Sequence, residues 1–469
     1  MRVLMDATAW RLANMMFRVA RRLPPPVRRR AAQGARLLWW TVTFQLFTRL
    51  AASNALPPGH NPHLSTLPVF AVPRADTRLA ASNALPPGHN RHLSTLPVFA
   101  VPRADTRRLS VVTDSISTGS LYGGVGTALI LAALAARQID SGLRIVTRTE
   151  PPDVGRVGAV LNAHGISWKR NIEFVFASQV GGPGSHDVPV AVNDLFLTTS
   201  WWTTWSVRQS VARERIACLV QEDERLFYPF GDEHLRCTET LSDPRLLYLV
   251  NTKLLLGHLH DDGLVPGATA FEPSFPMHLY HPAAPGLRQA GAKRNFFFYA
   301  RPKNVRNLYW RGLEALSAAI EEGILDPQEW DFHFVGHDAS PVSLPRGAKA
   351  LFSGPMSWSD YAAFVRRMDV GLSLIYTPHP SYPPLHLAAS GAVVVTNQFG
   401  RKRNLDRYSS NILCVDLDVP SLVGAIRKAT VMAADAELRS TNFAGNGLQR
   451  DWAISLAPAL ERLAAWAKA

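Results

Sequence analysis

Cysteine is scarce: Cys218, Cys237 and Cys414 are the only three in 469 residues. An odd number, widely separated and without CxxC spacing, excludes a disulfide framework and a cysteine-based zinc site and fits a reducing, cytoplasmic compartment. Long apolar runs are missing as well, since none reaches the roughly 18–20 residues that a membrane-spanning helix needs. Acidic residues are nearly absent from positions 1–107, which hold fifteen Arg, no Lys and only Asp6, Asp76 and Asp105. That stretch therefore carries +12 of the formal +13, and the remaining 362 residues are almost neutral. The excess charge belongs to an extension and is no general nucleic-acid signature of the body, where base-reading motifs and interleaved stacking aromatics are missing.

What is present in the extension divides into two parts. Arginine clusters (Arg18, Arg21, Arg22; Arg28, Arg29, Arg30) flank the apolar stretch 37–47, LLWWTVTFQLF. Residues 1–50 thus combine basic and aromatic side chains as a peripheral, membrane-surface segment does; a helix packed on the body, or a tail, is the alternative. No signal-peptide cleavage pattern follows it. Residues 49–77 then recur at 78–106 with one change, Pro62 becoming Arg91. Two copies are too few for a solenoid, so the segment reads as a duplicated linker of which only the second copy packs in its normal place.

From residue 109 the texture becomes short apolar runs alternating with helical stretches, the pattern of parallel sheets covered by helices. Strands are expected at 109–114, 143–147, 172–177 and 195–198, with a helix at 127–137 after a Gly-rich turn. A second series is expected at 296–300, 330–336, 350–354, 370–376 and 392–397, with helices near 306–322, at 358–367 and after Pro384. At 469 residues the chain suits two domains. Their expected bounds are an extension at 1–107, a first domain at 108–290, a second at 291–446, and a terminal helix at 447–469 packing back on the first. Open parallel sheets bind ligands beyond the carboxyl ends of their strands, so the site is expected in loops facing the cleft.

Two segments carry the candidate chemistry. YARPKNVRN (299–307) leaves a strand and enters a helix with three cations and no acid; cations there oppose the helix dipole unless an anion shares the position, which suggests phosphate. Solvated basic residues in a strand-to-helix loop are the alternative. PHPSYPPLHLAASG (378–391) places His379, Ser381, Tyr382 and His386 among four prolines, with Pro384 suited to a helix first turn and Gly391 to its end. This looks like a rigid sugar-binding loop.

These strings resemble glycosyltransferase family 4 in the second half. More narrowly, YARPKNVRN, GPMSWSDYAAFVRRMDVGLSL (354–374) and PHPSYPPLHLAASGAVVVTN (378–397) resemble the WsaF-type rhamnosyltransferases, and TTSWWT (198–203) and VQEDE (220–224) with Phe227-Tyr228-Pro229 extend the likeness into the first half. The resemblance implies an α/β chain of GT-B type: two Rossmann-like, doubly wound parallel-sheet domains facing a cleft, behind the basic N-terminal extension. Arg301 and Arg306 match the family's two cations that grip the donor diphosphate. Gly123 and Gly124 stand in its Gly-rich loop, where backbone amides approach an anion closely. The family's ribose-holding Glu falls at His386 and its first Glu at Pro378 or His379; a neutral imidazole can still bond a hydroxyl. Gly336, His337, Gly354, Met356, His379, Ser381, Tyr382, His386 and Lys402, from the string Arg401-Lys402-Arg403, complete the expected donor side. Trp201, Trp202 and Glu222 form the expected acceptor side, the tryptophans stacking on sugar or, alternatively, packing in the core and lid. Gln221 and Glu222 follow a short apolar run and face the acceptor or, alternatively, start a solvated helix.

The activity so implied is transfer of a hexosyl group from a nucleotide sugar, L-rhamnose from a dTDP donor first, to a surface polysaccharide or a lipid-linked glycan. Retention of anomeric configuration is implied, with no cofactor and no metal, the arginines standing in for a cation. A non-catalytic protein that binds nucleotide sugars or glycans on the same fold is the alternative, motivated by His386. Nucleic-acid binding through the arginine-rich arm is the reading least supported.

Overall fold

A computed structural model describes residues 91–468 apart from 103–106, 118–120, 179–183, 284–290, 337–338 and 355. The expected membrane-surface segment and the first repeat copy lie outside the described residues. The first lobe contains strands β1 (Val98–Ala100), β2 (Arg108–Thr113), β3 (Gly142–Thr147), β4 (Ile172–Phe176), β5 (Val188–Val190), β6 (Leu195–Thr198), β7 (Ile216–Val220), β8 (Leu247–Asn251) and β9 (Thr269–Phe271). Its helices are α1 (Gly126–Gln138), α2 (Val154–Ala163), α3 (Trp201–Val207), α4 (Asp232–Leu241) and α5 (Lys253–Asp261). The main sheet runs β4-β3-β2-β6-β7-β8-β9, all parallel. Because helices cover both faces of such a sheet, its strands are apolar throughout rather than alternating, and β7 is buried from end to end.

The second lobe repeats the plan with β10 (Arg294–Tyr299), β11 (Trp330–Val335), β12 (Ala350–Ser353), β13 (Val370–Leu372), β14 (Val393–Asn397) and β15 (Ile412–Val415). Its helices are α6 (Tyr309–Glu321), α7 (Trp358–Val365), α8 (Tyr382–Ala389), α9 (Val419–Ala434) and α10 (Ala436–Ala444). The order β12-β11-β10-β13-β14-β15, again parallel, reverses direction between β10 and β13. That reversal opens a crevice beside the carboxyl end of β10, where doubly wound sheets take ligands. Phe296, Phe297 and Phe298 of β10 are buried to opposite sides, Phe296 and Phe298 in a core with α6 and α9, and Phe297 in one with α7 and α8. Gly312 is needed on α6, because a Cβ there would lie 2.5 Å from Phe298 Cε2.

The last helix, α11 (Trp452–Lys468), crosses back: Trp452, Leu456, Ala459, Leu460 and Leu463 join the first lobe's core with Leu109, Val111 and Leu129. Residues 91–102 of the second repeat copy also lie along the first lobe, in its other core cluster. Leu93, Leu96 and Val98 are buried there, and β1 pairs in parallel with β5 in a separate two-stranded sheet. None of the helices among the described residues is long and apolar enough to cross a membrane.

Candidate active site

The carboxyl ends of both sheets face one cavity of about 380 Å³. From the first lobe it is lined by Gly123, Gly124, Gln221, Glu222, Glu224 and Phe227, and from the second by Arg301, Asn304, Arg306, Gly336, His379 and Tyr382 among others. The cations reach it differently from expectation. Val305–Asn307 form a single 3-10 turn and α6 begins only at Tyr309, so Arg301 and Arg306 sit in the loop before the helix rather than in its first turn. Arg301 is half-buried and has no ion-pair partner among the described residues. The backbone beneath it is tightly fitted: Gly336 has φ +151°, and a Cβ there would fall 2.2 Å from the Ala300 carbonyl oxygen and 2.9 Å from Arg301 Cγ.

Arg306 is held by the opposite lobe. Its Nη1 donates to Glu222 Oε2 at 2.8 Å, and its guanidinium carbon lies 4.0 Å from the centroid of the Phe227 ring. The other Glu222 oxygen accepts from the Thr377 hydroxyl. Burial raises the Glu222 carboxyl above the ordinary carboxylate range, against the pull of Arg306 and Thr377. Glu224, two residues on, accepts from the Trp201 amide at 2.6 Å and is pushed up to about 8 by burial.

A tyrosine makes the second bridge between lobes. Asn251 Nδ2 donates to the Tyr382 hydroxyl at 2.9 Å, and that hydroxyl is also bonded to Thr127 Oγ1. Tyr382 follows Ser381, which takes φ +69° and leads into the Pro383-Pro384 first turn of α8. The Ser381 amide donates to His379 Nδ1 at 2.9 Å. That bond leaves the proton of the neutral ring on Nε2, a buried atom without a hydrogen-bond partner, and burial holds the imidazole down to about 3. His386, likewise held to about 3 by burial, stacks on Tyr280 with ring centroids 4.8 Å apart and still lines the cavity.

Among the sixteen residues singled out from the sequence, Arg301, Arg306, Gly123, Gly124, Gly336, Gly354, Met356, His379, Ser381, Tyr382, His386 and Glu222 line this cavity; His337 lies outside the described residues. Three do not reach it. Trp201 is fully buried and spends its indole N–H on Tyr228, so it cannot stack on a sugar. Trp202 turns its indole N–H to Asp114 at 2.7 Å, which anchors it in the first lobe. Lys402 is fully buried with an unpartnered Nζ and is pushed down to about 8 by burial; it does not line the cavity, although His379 and Glu222 feel its charge. Its neighbour Arg401 is tied to Asp261 at 2.6 Å across the lobes. The sequence reading gave no site role to Glu224, Phe227, Trp358 and Tyr361, which also line the cavity; Gln221, which the short apolar run before it marked as acceptor-facing, lines it too.

Two acidic groupings bear on a metal. Asp223, His258 and Asp262 bring ligand atoms within 4.8 Å of one another, but Arg225 bridges both carboxylates. Asp416-Leu417-Asp418, a DxD string that the sequence reading passed over, follows β15, and Asp418 caps α9 by accepting from the Ser421 amide at 2.8 Å.

Comparison with known proteins agrees with this architecture. Residues 108–253 match the family model "WsaF, N-terminal domain" and residues 294–427 match "WsaF, C-terminal domain". The O-antigen biosynthesis protein RfbC of Myxococcus xanthus is 30% identical over 267 residues, 55% of this chain and 20% of that protein; the chain thus spans about a fifth of the length of this curated relative. Among solved structures, sucrose-phosphate synthase from Thermosynechococcus elongatus superposes with TM-score 0.54 at 15% identity, covering 77% of this chain and 100% of that one. The Anabaena protein HepE, in complex with UDP-glucose, superposes with TM-score 0.50 at 13% identity, covering 77% and 98%. At such identities these likenesses establish the fold, which is GT-B. The chain belongs to the WsaF family, whose two domains it carries in order as the two lobes around this cavity.

Proposed function

We propose that the chain is a glycosyltransferase of polysaccharide biosynthesis that moves a hexosyl group from a nucleotide diphosphate sugar to a glycan acceptor. The observation that carries this reading is the convergence of Arg301 and Arg306 with Gly123 and Gly124 in one interlobe cavity. Planar guanidinium forks hold two phosphate oxygens at once, and a leaving diphosphate needs its charge neutralised as the glycosidic bond breaks. The names of the relatives point the same way, RfbC to O-antigen biosynthesis and the HepE complex to a nucleotide-sugar ligand.

The finer assignment is L-rhamnose from dTDP-rhamnose, delivered to a surface polysaccharide or lipid-linked glycan with retention of configuration. In this reading Arg301 and Arg306 neutralise the diphosphate without a metal and without a cofactor. His379, Ser381, Tyr382 and His386 hold sugar and ribose, and the acceptor enters on the Glu222 side. The basic, aromatic residues 1–50 bring the enzyme to an anionic inner-membrane face, where a lipid-linked acceptor would be.

The experiment is binding of dTDP, UDP, GDP and ADP to the wild type and to Arg301→Ala with Arg306→Ala, followed by thermal shift and calorimetry. One diphosphate raising the melting temperature of the wild type alone is the expected result, and its base names the donor. Binding of none at millimolar concentration overturns the donor site, and binding without turnover of the matching sugar, with or without acceptor, favours a non-catalytic sugar-nucleotide binder. Turnover that survives a chelator supports the metal-free assignment.

A further inference from the structure

Glu222 and Arg306 come from different lobes and are 84 positions apart in sequence, yet they form the most intimate charged contact in the cavity. Arg306 is 16% and Glu222 14% exposed at the side chain, so the pair is shielded from water and its attraction is only weakly screened. The carboxylate is placed from both sides, by Arg306 Nη1 on one oxygen and by the Thr377 hydroxyl on the other. The Arg306 guanidinium is clamped in turn by the Phe227 ring, also from the first lobe. A carboxylate offers a guanidinium the same pair of anionic oxygens that a phosphate does.

Resting on the donor site proposed above, we infer that Glu222 is a built-in competitor for the donor diphosphate. It takes up the Arg306 edge that a phosphate needs, must yield that edge when the donor binds, and reclaims it as the product nucleotide leaves. Two anions cannot share one guanidinium at this depth without strong repulsion. The exchange is isoelectric for Arg306, which passes from a carboxylate to a phosphate without ever being a buried unpaired charge, the situation that costs most. The same exchange releases Thr377 and loosens the interlobe bridge that lies in the cavity at Arg306, so donor binding and lobe movement are coupled through a single side chain. The Tyr382 bridge to Thr127 and Asn251 does not involve Arg306 and holds the lobes together meanwhile.

The test is calorimetric titration of the full chain with dTDP and, separately, UDP, using wild type, Glu222→Gln and Glu222→Asp. Glu222→Gln keeps the shape and removes the competing charge; Glu222→Asp keeps the charge but shortens its reach. A charge-assisted hydrogen bond contributes about 1.5–3 kcal/mol, equivalent to about ten- to a hundredfold in affinity. The expected result is nucleoside diphosphate binding tighter by about that factor in Glu222→Gln, tighter by less in Glu222→Asp, and slower product release in both. Equal or weaker binding by the variants, with the wild type binding normally, overturns the competitor role and leaves the donor site standing. Binding by none of the three proteins overturns the donor site itself. Should Glu222→Gln fail to fold, Glu222→Asp decides alone.

Discussion

Removing one oxygen atom, by Tyr382→Phe, tests whether the lobes are joined as described. The hydroxyl is buried between Thr127, 3% exposed, and Asn251, fully buried. The Thr127 hydroxyl donates to the Gly123 carbonyl at 3.2 Å, so Tyr382 is the donor to Thr127 and the acceptor from Asn251. The substitution deletes both bonds and leaves the Asn251 amide with only a long contact, 3.4 Å, to Gln221. Each lost hydrogen bond costs about 1 kcal/mol and an orphaned buried donor somewhat more, which gives about 2–3 kcal/mol. For a lobe of this size that corresponds to a melting temperature lower by about 4–12 °C. The ring itself stays, so its packing against Phe275 and His386 is retained, and lost volume cannot explain the change. Differential scanning calorimetry, with small-angle scattering for lobe separation, reads both consequences. A melting temperature within about 1 °C of wild type would refute the interlobe role, because a bond pair worth so little could not hold the cleft.

Gly336→Ala should strike the donor site without touching a cation. Its Cβ would fall 2.2 Å from the Ala300 oxygen at a φ of +151°, so the Arg301 loop must move; nucleoside diphosphate affinity is expected to fall by more than about tenfold, with about 1–3 kcal/mol of stability lost to the strain. Calorimetric titration settles it, and unaltered affinity would show that the position of Arg301 is unimportant. Glu224 gives a pH test. Its carboxyl is pushed up to about 8 by burial, so the folded state holds a proton that the unfolded chain releases near 4.3. That contribution is therefore complete below the unfolded value and lost as pH rises through the folded one, about 4 kcal/mol between pH 5 and pH 9. Urea denaturation at those pH values should show Glu224→Gln losing less stability than wild type on going to alkaline pH; parallel profiles for the two proteins would contradict the buried, protonated carboxyl.

The fold was legible because a sheet covered on both faces writes itself as apolar runs. Phe296, Phe297 and Phe298 or Val393, Val394 and Val395 can be read as strands without knowing their neighbours, and both series end where loops must face a cleft. Strand ends were less legible: 370–376 was expected as one strand, but pairing stops at Leu372 because the chain turns away toward the Pro-rich loop. In the site, Arg301 and Arg306 stood out by charge within a short string. Trp201 takes the core-packing place rather than the sugar-stacking one, a choice that aromatic identity alone does not disclose. Its place is decided by the capping box at Ser200 and by the Glu224 carboxyl oxygen on its amide, both of which need three-dimensional neighbours. Glu222 lines the cavity as expected, but its pairing with Arg306 was not legible, since nothing near it in sequence announces Arg306.

The charge arithmetic of the cavity turns on Glu222. His379 and His386 are held neutral by burial, and the Lys402 ammonium is disfavoured by burial and does not line the site. Among the described residues, the cations that line the cavity are then Arg301 and Arg306, and Glu222 offsets one of them. A nucleoside diphosphate sugar carries two negative charges on its bridging phosphates. Two arginines match these only if the Glu222 carboxylate leaves Arg306 or takes up a proton, and burial already biases it toward the proton. A donor that brings the full anionic pair to the cleft therefore supplies the driving force that separates Glu222 from Arg306, whereas a neutral sugar or a nucleoside without phosphates does not. Discrimination for the charged diphosphate follows, in the proposed function, from the same bridge that joins the lobes.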